Sequence, residues 1–259
     1  MITRAEPVMG TVVSISAVAA LEDHSDEALD NALADAAVLL HHDDELFSTW
    51  KPESPMSRVR SGELRLEEAP AEIAAVLDLC VSARAMSGGF FDPWALPGGV
   101  DPTGLVKGWS AERAAGVLAG SGVRSGMVNA GGDIACFGLP PDGGVWRIGI
   151  RHPWRAGALA CILEVETSIA TSGTYERGSH LFDPIGRRGP APVSATVTGP
   201  SLALADALAT AVAVGGDEAL ALVAELEGYD AYLIRPDGTE ASTAGIRFAP
   251  SEASLPAGP

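Results

Sequence analysis

The sequence is poor in several things that would each name a protein class. It has three cysteines, Cys80, Cys136 and Cys161, with no close spacing between any two. An odd number without a CxxC pair argues against a disulfide framework or a zinc site, and leaves them as small buried hydrophobes. Basic residues are half as many as acidic ones, 17 against 34, for a net charge of −17. Backbone binding of nucleic acid needs clustered Lys and Arg, so that partner is excluded, whereas a phosphate ligand held by a local site is not. Neither GxxxxGK[ST] nor GxGxxG occurs, so the P-loop and dinucleotide-fold readings lack their signatures. The N-terminal stretch MITRAEPVMGTVVSISAV is broken by Glu6 and Pro7, holds no continuous apolar run after basic residues, and is followed by no lipobox cysteine. The expectation is a cytoplasmic protein with no membrane insertion.

What is present suits a sizeable folded core. Apolar residues make up 47% of 259, too many for a disordered chain and enough for one large domain or two small ones. Thr11–Val18 alternates as a strand. Ser25 is placed to cap a helix whose stripe is Leu29, Leu33, Ala36 and Leu40. A second helix is expected from about Pro70 to Met86, stopped by Gly88 and Gly89, and a third from near Lys107 to just before Gly120. Met127–Phe137 reads as β structure interrupted at Gly131-Gly132, and Trp146–His152 with Ala158–Glu166 as a hairpin pair. Ser194–Thr198 and Ala231–Arg235 are further strands. Between them lie helical runs at Ser201–Val214 and Asp217–Glu227, separated by Gly215-Gly216. The tail after Phe248 reads as disordered, leaving residues 1–248 as one domain. Strands and helices are mixed without a regular βαβ alternation. The expected class is α+β, a mostly antiparallel sheet packed with helices.

Three segments carry chemistry. The helical run SLALADALATAVAVGG is almost wholly apolar apart from Asp206 and Thr210, which are four apart and so share one helix face. A carboxylate in such surroundings is costly unless it is paired or binds a cation, and a hard ion such as Mg²⁺ suits a carboxylate plus a hydroxyl. The competing reading has Asp206 facing solvent and Thr210 bonding back to a helix carbonyl. Asn129-Ala-Gly-Gly-Asp133 is either a turn that lets a ligand approach the backbone or an ordinary tight turn. Residues 168–186, SIATSGTYERGSHLFDPIG, hold Thr171, Ser172, Thr174, Tyr175, His180 and Asp183 in a stretch too polar to read as a core strand. His180 is open to a role as a base, and Asp183 to orienting it. Trp50 and Trp109 are available either as flat surfaces for a heterocycle or as packing.

Eight segments in order extend this reading over most of the chain: EPVMGT (6–11), FSTWKPESPMSR (47–58), GGFFDP (88–93), DPTGLVKGWSAERA (101–114), NAGGDI (129–134), SIATSGTYER (168–177), HLFDP (180–184) and VTGPSLALADALATA (197–211). In these the chain resembles the ApbE family, the FAD:protein FMN transferases. The resemblance implies a fold related to the T-fold, with FAD as substrate. It also implies Mg²⁺-dependent transfer of FMN to a Thr or Ser of a target flavoprotein, with release of AMP. It places Asp206, Thr210 and the main-chain carbonyl of Val106 at the metal, and His180 as the base for the acceptor hydroxyl. Met9, Trp50, Asp101, Lys107, Gly131, Gly132, Asp133, Thr171 and Ser172 fall where the family lines its FAD pocket. The chain departs from the family pattern in three places. Only WALPGGV (94–100) stands between FFDP and DPTG, HLFDPIG is a residue short and lacks a threonine, and Trp50 stands where tyrosine is common. The first two departures leave room for water as the acceptor, making an FAD pyrophosphatase. A flavin-binding protein without catalysis is a third reading, disfavoured by the joint presence of Asp206, Thr210 and His180.

Overall fold

The computed structural model describes residues 1–18, 26–96, 98–173, 182–186 and 191–250. Eight strands form one sheet: β1 (Ile2–Val8), β2 (Thr11–Val18), β3 (Ser125–Ala130), β4 (Asp133–Phe137), β7 (Ser168–Gly173), β8 (Ser194–Gly199), β9 (Asp230–Ile234) and β10 (Glu240–Ser242), in that spatial order. Every neighbouring pair is antiparallel. The remaining strands, β5 (Trp146–Arg151) and β6 (Leu159–Val165), form a separate two-stranded sheet, with β6 also bridged at Leu163 to Phe248. Among the described residues the α-helices are α1 (Asp26–Phe47), α2 (Pro55–Ser61), α3 (Ala71–Met86), α4 (Thr103–Gly120), α5 (Leu202–Gly215) and α6 (Asp217–Ala224), with a short 3-10 turn at Leu66–Glu68. The α+β class and the antiparallel sheet expected from the sequence are therefore what the chain forms.

Two cores form. The larger joins the helices to one face of the sheet, through side chains such as Ile15, Leu40, Ile73, Leu105, Val128, Val197 and Leu208. The smaller holds Trp146, Ile150 and Leu163 of the β5–β6 hairpin against Ile134, Ile169, Tyr232 and Ile234 of the sheet. Neighbouring positions on a strand point to opposite faces, so Ile169 serves the smaller core while Ala170 serves the larger.

α5 is the centre of the larger core. It packs against α4, β7 and β8, and ten of its residues are buried, six of them alanines. Such a helix can lie close to its neighbours because little side chain intervenes. At Gly108 of α4 the approach is so close that a Cβ would stand 2.6 Å from the Leu202 carbonyl oxygen. Two carboxylates reach across this contact in opposite directions. The Gly108 N–H donates to Asp206 Oδ2 at 3.1 Å. In return Glu112 Oε2 of α4 accepts from the Ala203 N–H at 3.2 Å and the Ser201 hydroxyl at 2.9 Å. Glu112 thus caps a helix whose own N-cap side chain makes no capping bond, and places its charge where the first N–H groups of α5 favour it.

Several boundaries differ from the sequence expectation. β1 was not expected. It is an edge strand with most of its residues exposed, so it lacks alternation, and Pro7 is tolerated at such an edge. α2 was also not expected. Ser54 accepts from Ser57 N, Pro55 opens the helix and Gly62 closes it at φ 77°. α4 starts at Thr103 rather than near Lys107, because Asp101 Oδ1 accepts from the Thr103 N–H at 3.1 Å and holds the first turn. Pro70 is the N-cap of α3 rather than its first residue, and α6 ends at Ala224. β7 is the clearest correction. Residues 168–173, read as too polar for a core strand, pair along their length with β8 and at Ser168 and Ile169 with β4. They are small because Ala-rich α5 lies against them. Ser25, at the expected start of α1, and the tail from 251 lie outside the described residues.

Candidate active site

A cleft of about 210 Å³ opens between α4, α5, the end of β7 and the segments 90–96 and 182–184. Asp101, Lys107, Thr171, Ser172, Asp206 and Thr210 all line it, so six residues from three parts of the sequence meet there. Asp206 is 3% exposed, which rules out the solvent-facing reading. One turn along α5, the Thr210 hydroxyl meets the Ser172 hydroxyl of β7 at 3.2 Å. Gly104 keeps this corner open, since a Cβ there would come within 3.1 Å of the Phe91 ring and 4.0 Å of Thr210 Oγ1.

Lys107 reaches the cleft from α4 and bonds to Asp133 Oδ2. The other Asp133 oxygen accepts from the Thr171 N–H at 3.1 Å. Asp133 is fully buried and stands behind the lining, tying the lysine of one wall to the strand of the other. Asp101 is held by Arg60 at 3.2 Å, so its carboxylate is both a helix-start acceptor and an ion-pair partner. Phe90 and Phe91 supply an apolar wall, and Phe182, 42% exposed, stands at the mouth.

The donor set at the α5 corner fits a hard divalent cation. It consists of one buried carboxylate, Asp206, with the hydroxyls of Thr210 and Ser172 beside it. Among the described residues no cluster of three or more His, Cys, Asp or Glu could hold a metal, so any ion here relies on hydroxyl, carbonyl or substrate oxygens for its other ligands. Val106 is buried in α4, between Leu105 and Lys107, and is not among the described residues that line the cleft.

The other expected pocket residues sit farther out. Met9, in the turn between β1 and β2 with φ 54°, and Gly131 and Gly132, in the turn between β3 and β4, lie at the same end of the sheet as Thr171 and Ser172 by strand register. They do not line the cleft. Gly131 faces Thr11, whose hydroxyl would be 2.9 Å from a Cβ there. Trp50 is 92% exposed and lines nothing in the cleft. Trp109 is packing. Phe47 meets it edge-on at 5.3 Å and the Arg113 guanidinium lies 4.3 Å above its ring. Arg113 also pairs with fully buried Asp43, whose carboxyl burial pushes above its ordinary pKa. His180, Thr174 and Tyr175 lie outside the described residues. Gly104 and Gly108 were missed as site residues. Their signal was glycine inside a helical pattern, which marks a close approach.

A family model for the ApbE family matches residues 9–98 and 95–233, most of the chain. The chain belongs to the ApbE family. A protein from Vibrio cholerae named FAD:protein FMN transferase is 37% identical over 138 residues, 49% of this chain and 41% of that one. One of the same name from Rhodobacter capsulatus is 34% identical over 161 residues, 57% of this chain and 30% of that one. The alignments thus span less than half the length of these relatives. In three dimensions the ApbE fold extends over nearly everything. The flavin transferase ApbE of Vibrio cholerae superposes with a TM-score of 0.79 at 23% identity, covering 94% of this chain and 97% of that one.

Proposed function

We propose that this chain transfers FMN from FAD to a Thr or Ser hydroxyl of an acceptor flavoprotein, with Mg²⁺ as cofactor and AMP as the leaving product. The observation that carries this reading is the convergence of a buried carboxylate, two adjoining hydroxyls and a lysine on one cleft in an ApbE-family fold. Asp206, Thr210 and Ser172 would hold the Mg²⁺, with the Val106 carbonyl as a further ligand by resemblance. The bound ion would neutralise charge on the non-bridging phosphate oxygens. Lys107 adds a cation for the same phosphates, and Asp133 fixes where that cation points. Phe90 and Phe91 offer an apolar surface to a ring and keep water from one side of the cleft. In the transfer the acceptor oxygen bonds to the FMN phosphorus as the bond from that phosphorus to the AMP oxygen breaks, so in-line placement matters more than covalent help from the protein. His180 takes the hydroxyl proton in this reading.

The test is incubation with FAD, Mg²⁺ and a Thr-containing acceptor polypeptide, followed by intact-mass spectrometry. A mass increase of one FMN on the acceptor is expected. Free FMN and AMP without an adduct would make water the acceptor and the protein an FAD pyrophosphatase. Saturable FAD binding with no turnover would make it a flavin-binding protein.

A further inference from the structure

A second concavity of about 460 Å³ lies beside the cleft, lined by Val81, Arg84, Ala85, Gly88, Gly89 and Trp94. Val81, Arg84, Ala85 and Gly88 lie at positions i, i+3, i+4 and i+7 along and just past α3, so they present one face. Large apolar side chains are left open on it, with Val81 56% and Trp94 42% exposed. Its one charged member is already matched, since Arg84 Nε donates to Asp92 Oδ2 at 2.7 Å.

The groove and the cleft share a wall. Asp92 lines the cleft, yet its carboxylate holds Arg84 of the groove and accepts from the Trp94 N–H at 3.0 Å. On the far rim Phe182 and Pro184 line the cleft, while Ile185, 43% exposed, reaches back over Gly89 of the groove, 3.8 Å from where a Cβ would stand. A protein acceptor must put its hydroxyl in the cleft, so the chain flanking that hydroxyl has to lie along the rim. We infer that this groove docks the acceptor, taking an uncharged apolar side chain at a fixed offset from the modified Thr or Ser. The exposed Val81 and Trp94 side chains and the Ala85, Gly88 and Gly89 floor favour an apolar group, and Arg84 already gives its Nε–H to Asp92. An exposed tryptophan beside a pocket is the kind of anchor that carries much of an interface's affinity. The inference rests on the transferase reading.

The test uses a peptide library with one fixed Thr and randomised flanks, incubated with the full chain, FAD and Mg²⁺, with adducts sequenced by mass spectrometry. Wild type should enrich Leu, Phe or Met at one offset. Trp94→Ser and Val81→Glu should abolish the enrichment and raise KM for an enriched peptide at least about tenfold, the effect of losing one hot-spot contact. FAD affinity, read by fluorescence titration, should stay unchanged and also reports that both variants fold. Adducts without enrichment, or enrichment that survives both substitutions, overturn the groove and leave the transferase reading standing. No adduct from wild type overturns both. A dimer that these substitutions dissociate would assign the groove to a second copy of the chain and overturn the proposal.

Discussion

Gly108→Ala tests whether the site depends on how closely α4 and α5 approach. A Cβ at this position would meet the Leu202 carbonyl oxygen at 2.6 Å and Asp206 Cβ at 3.0 Å. Ordinary contact begins near 3.4 Å, so the helices must part by about 0.8 Å, and the nearest obstacle is backbone that cannot rotate aside. Overpacking of this kind costs about 1–3 kcal/mol, offset by about 1 kcal/mol of helix propensity gained on replacing glycine. The net loss is about 0–2 kcal/mol, a fall in Tm of a few degrees for a chain of this size. The effect on activity is larger. Parting the helices stretches the 3.1 Å bond from the Gly108 N–H to Asp206, and a misplacement near 1 Å can cost about a hundredfold in rate. The assay is FMN transfer at saturating FAD beside a thermal melt. Gly116→Ala is the matched control on the same helix. Nothing lies within 4 Å of its Cβ, so it should gain about 0.4–1 kcal/mol and keep full activity. Gly108→Ala with wild-type turnover would refute the claim that this approach sets the site.

Asp206→Ala should abolish Mg²⁺-dependent turnover while the metal-free protein still melts cooperatively, with a Tm lowered by a few degrees at most because the Gly108 N–H loses its carboxylate acceptor; full activity with Mg²⁺ would sink the metal assignment. Asp133→Asn should lower activity at least about tenfold with a rise in KM for FAD, since Lys107 loses the charge that aims it, whereas a fall in Tm with unchanged kinetics would make Asp133 purely structural. His180→Ala should bind FAD within a few-fold of wild type yet transfer FMN about a hundredfold more slowly, the deficit shrinking at high pH; lost FAD binding with normal turnover would make His180 a ligand contact. Burial pushes the Cys80 and Cys136 thiols up to about 12 and Cys161 up to about 11, so all three stay protonated far above neutrality. Iodoacetamide at pH 8 should leave Cys80 and Cys136 unmodified in the native protein by peptide mapping, with prompt labelling of either contradicting its burial.

The sequence makes the site visible where composition and role agree. Asp206 and Thr210 stand out because they are the polar residues of a helix buried nearly all round, where every other position has to be apolar. β7 hides for the opposite reason. Its neighbour α5 demands small residues, and a strand of Ser, Ala, Thr and Gly looks like a loop until the helix above it is known. β1 carries no alternation because its exposed edge has no inside to address. Trp50 shows what chain order does not convey. It falls within a matching segment, yet its ring projects into solvent. Gly108 and Glu112 act only across the gap between two helices nearly a hundred residues apart, so no local pattern announces the bond each makes.

The opposed carboxylate bonds between α4 and α5 have a mechanical consequence. Two ties about a turn apart hold the helices in one register, so Lys107, Asp206 and Thr210 share a single support. Any widening of the cleft would therefore fall to the other wall, built from residues 90–96 and 182–184. The charged groups would then keep their mutual spacing while the aromatic wall moved.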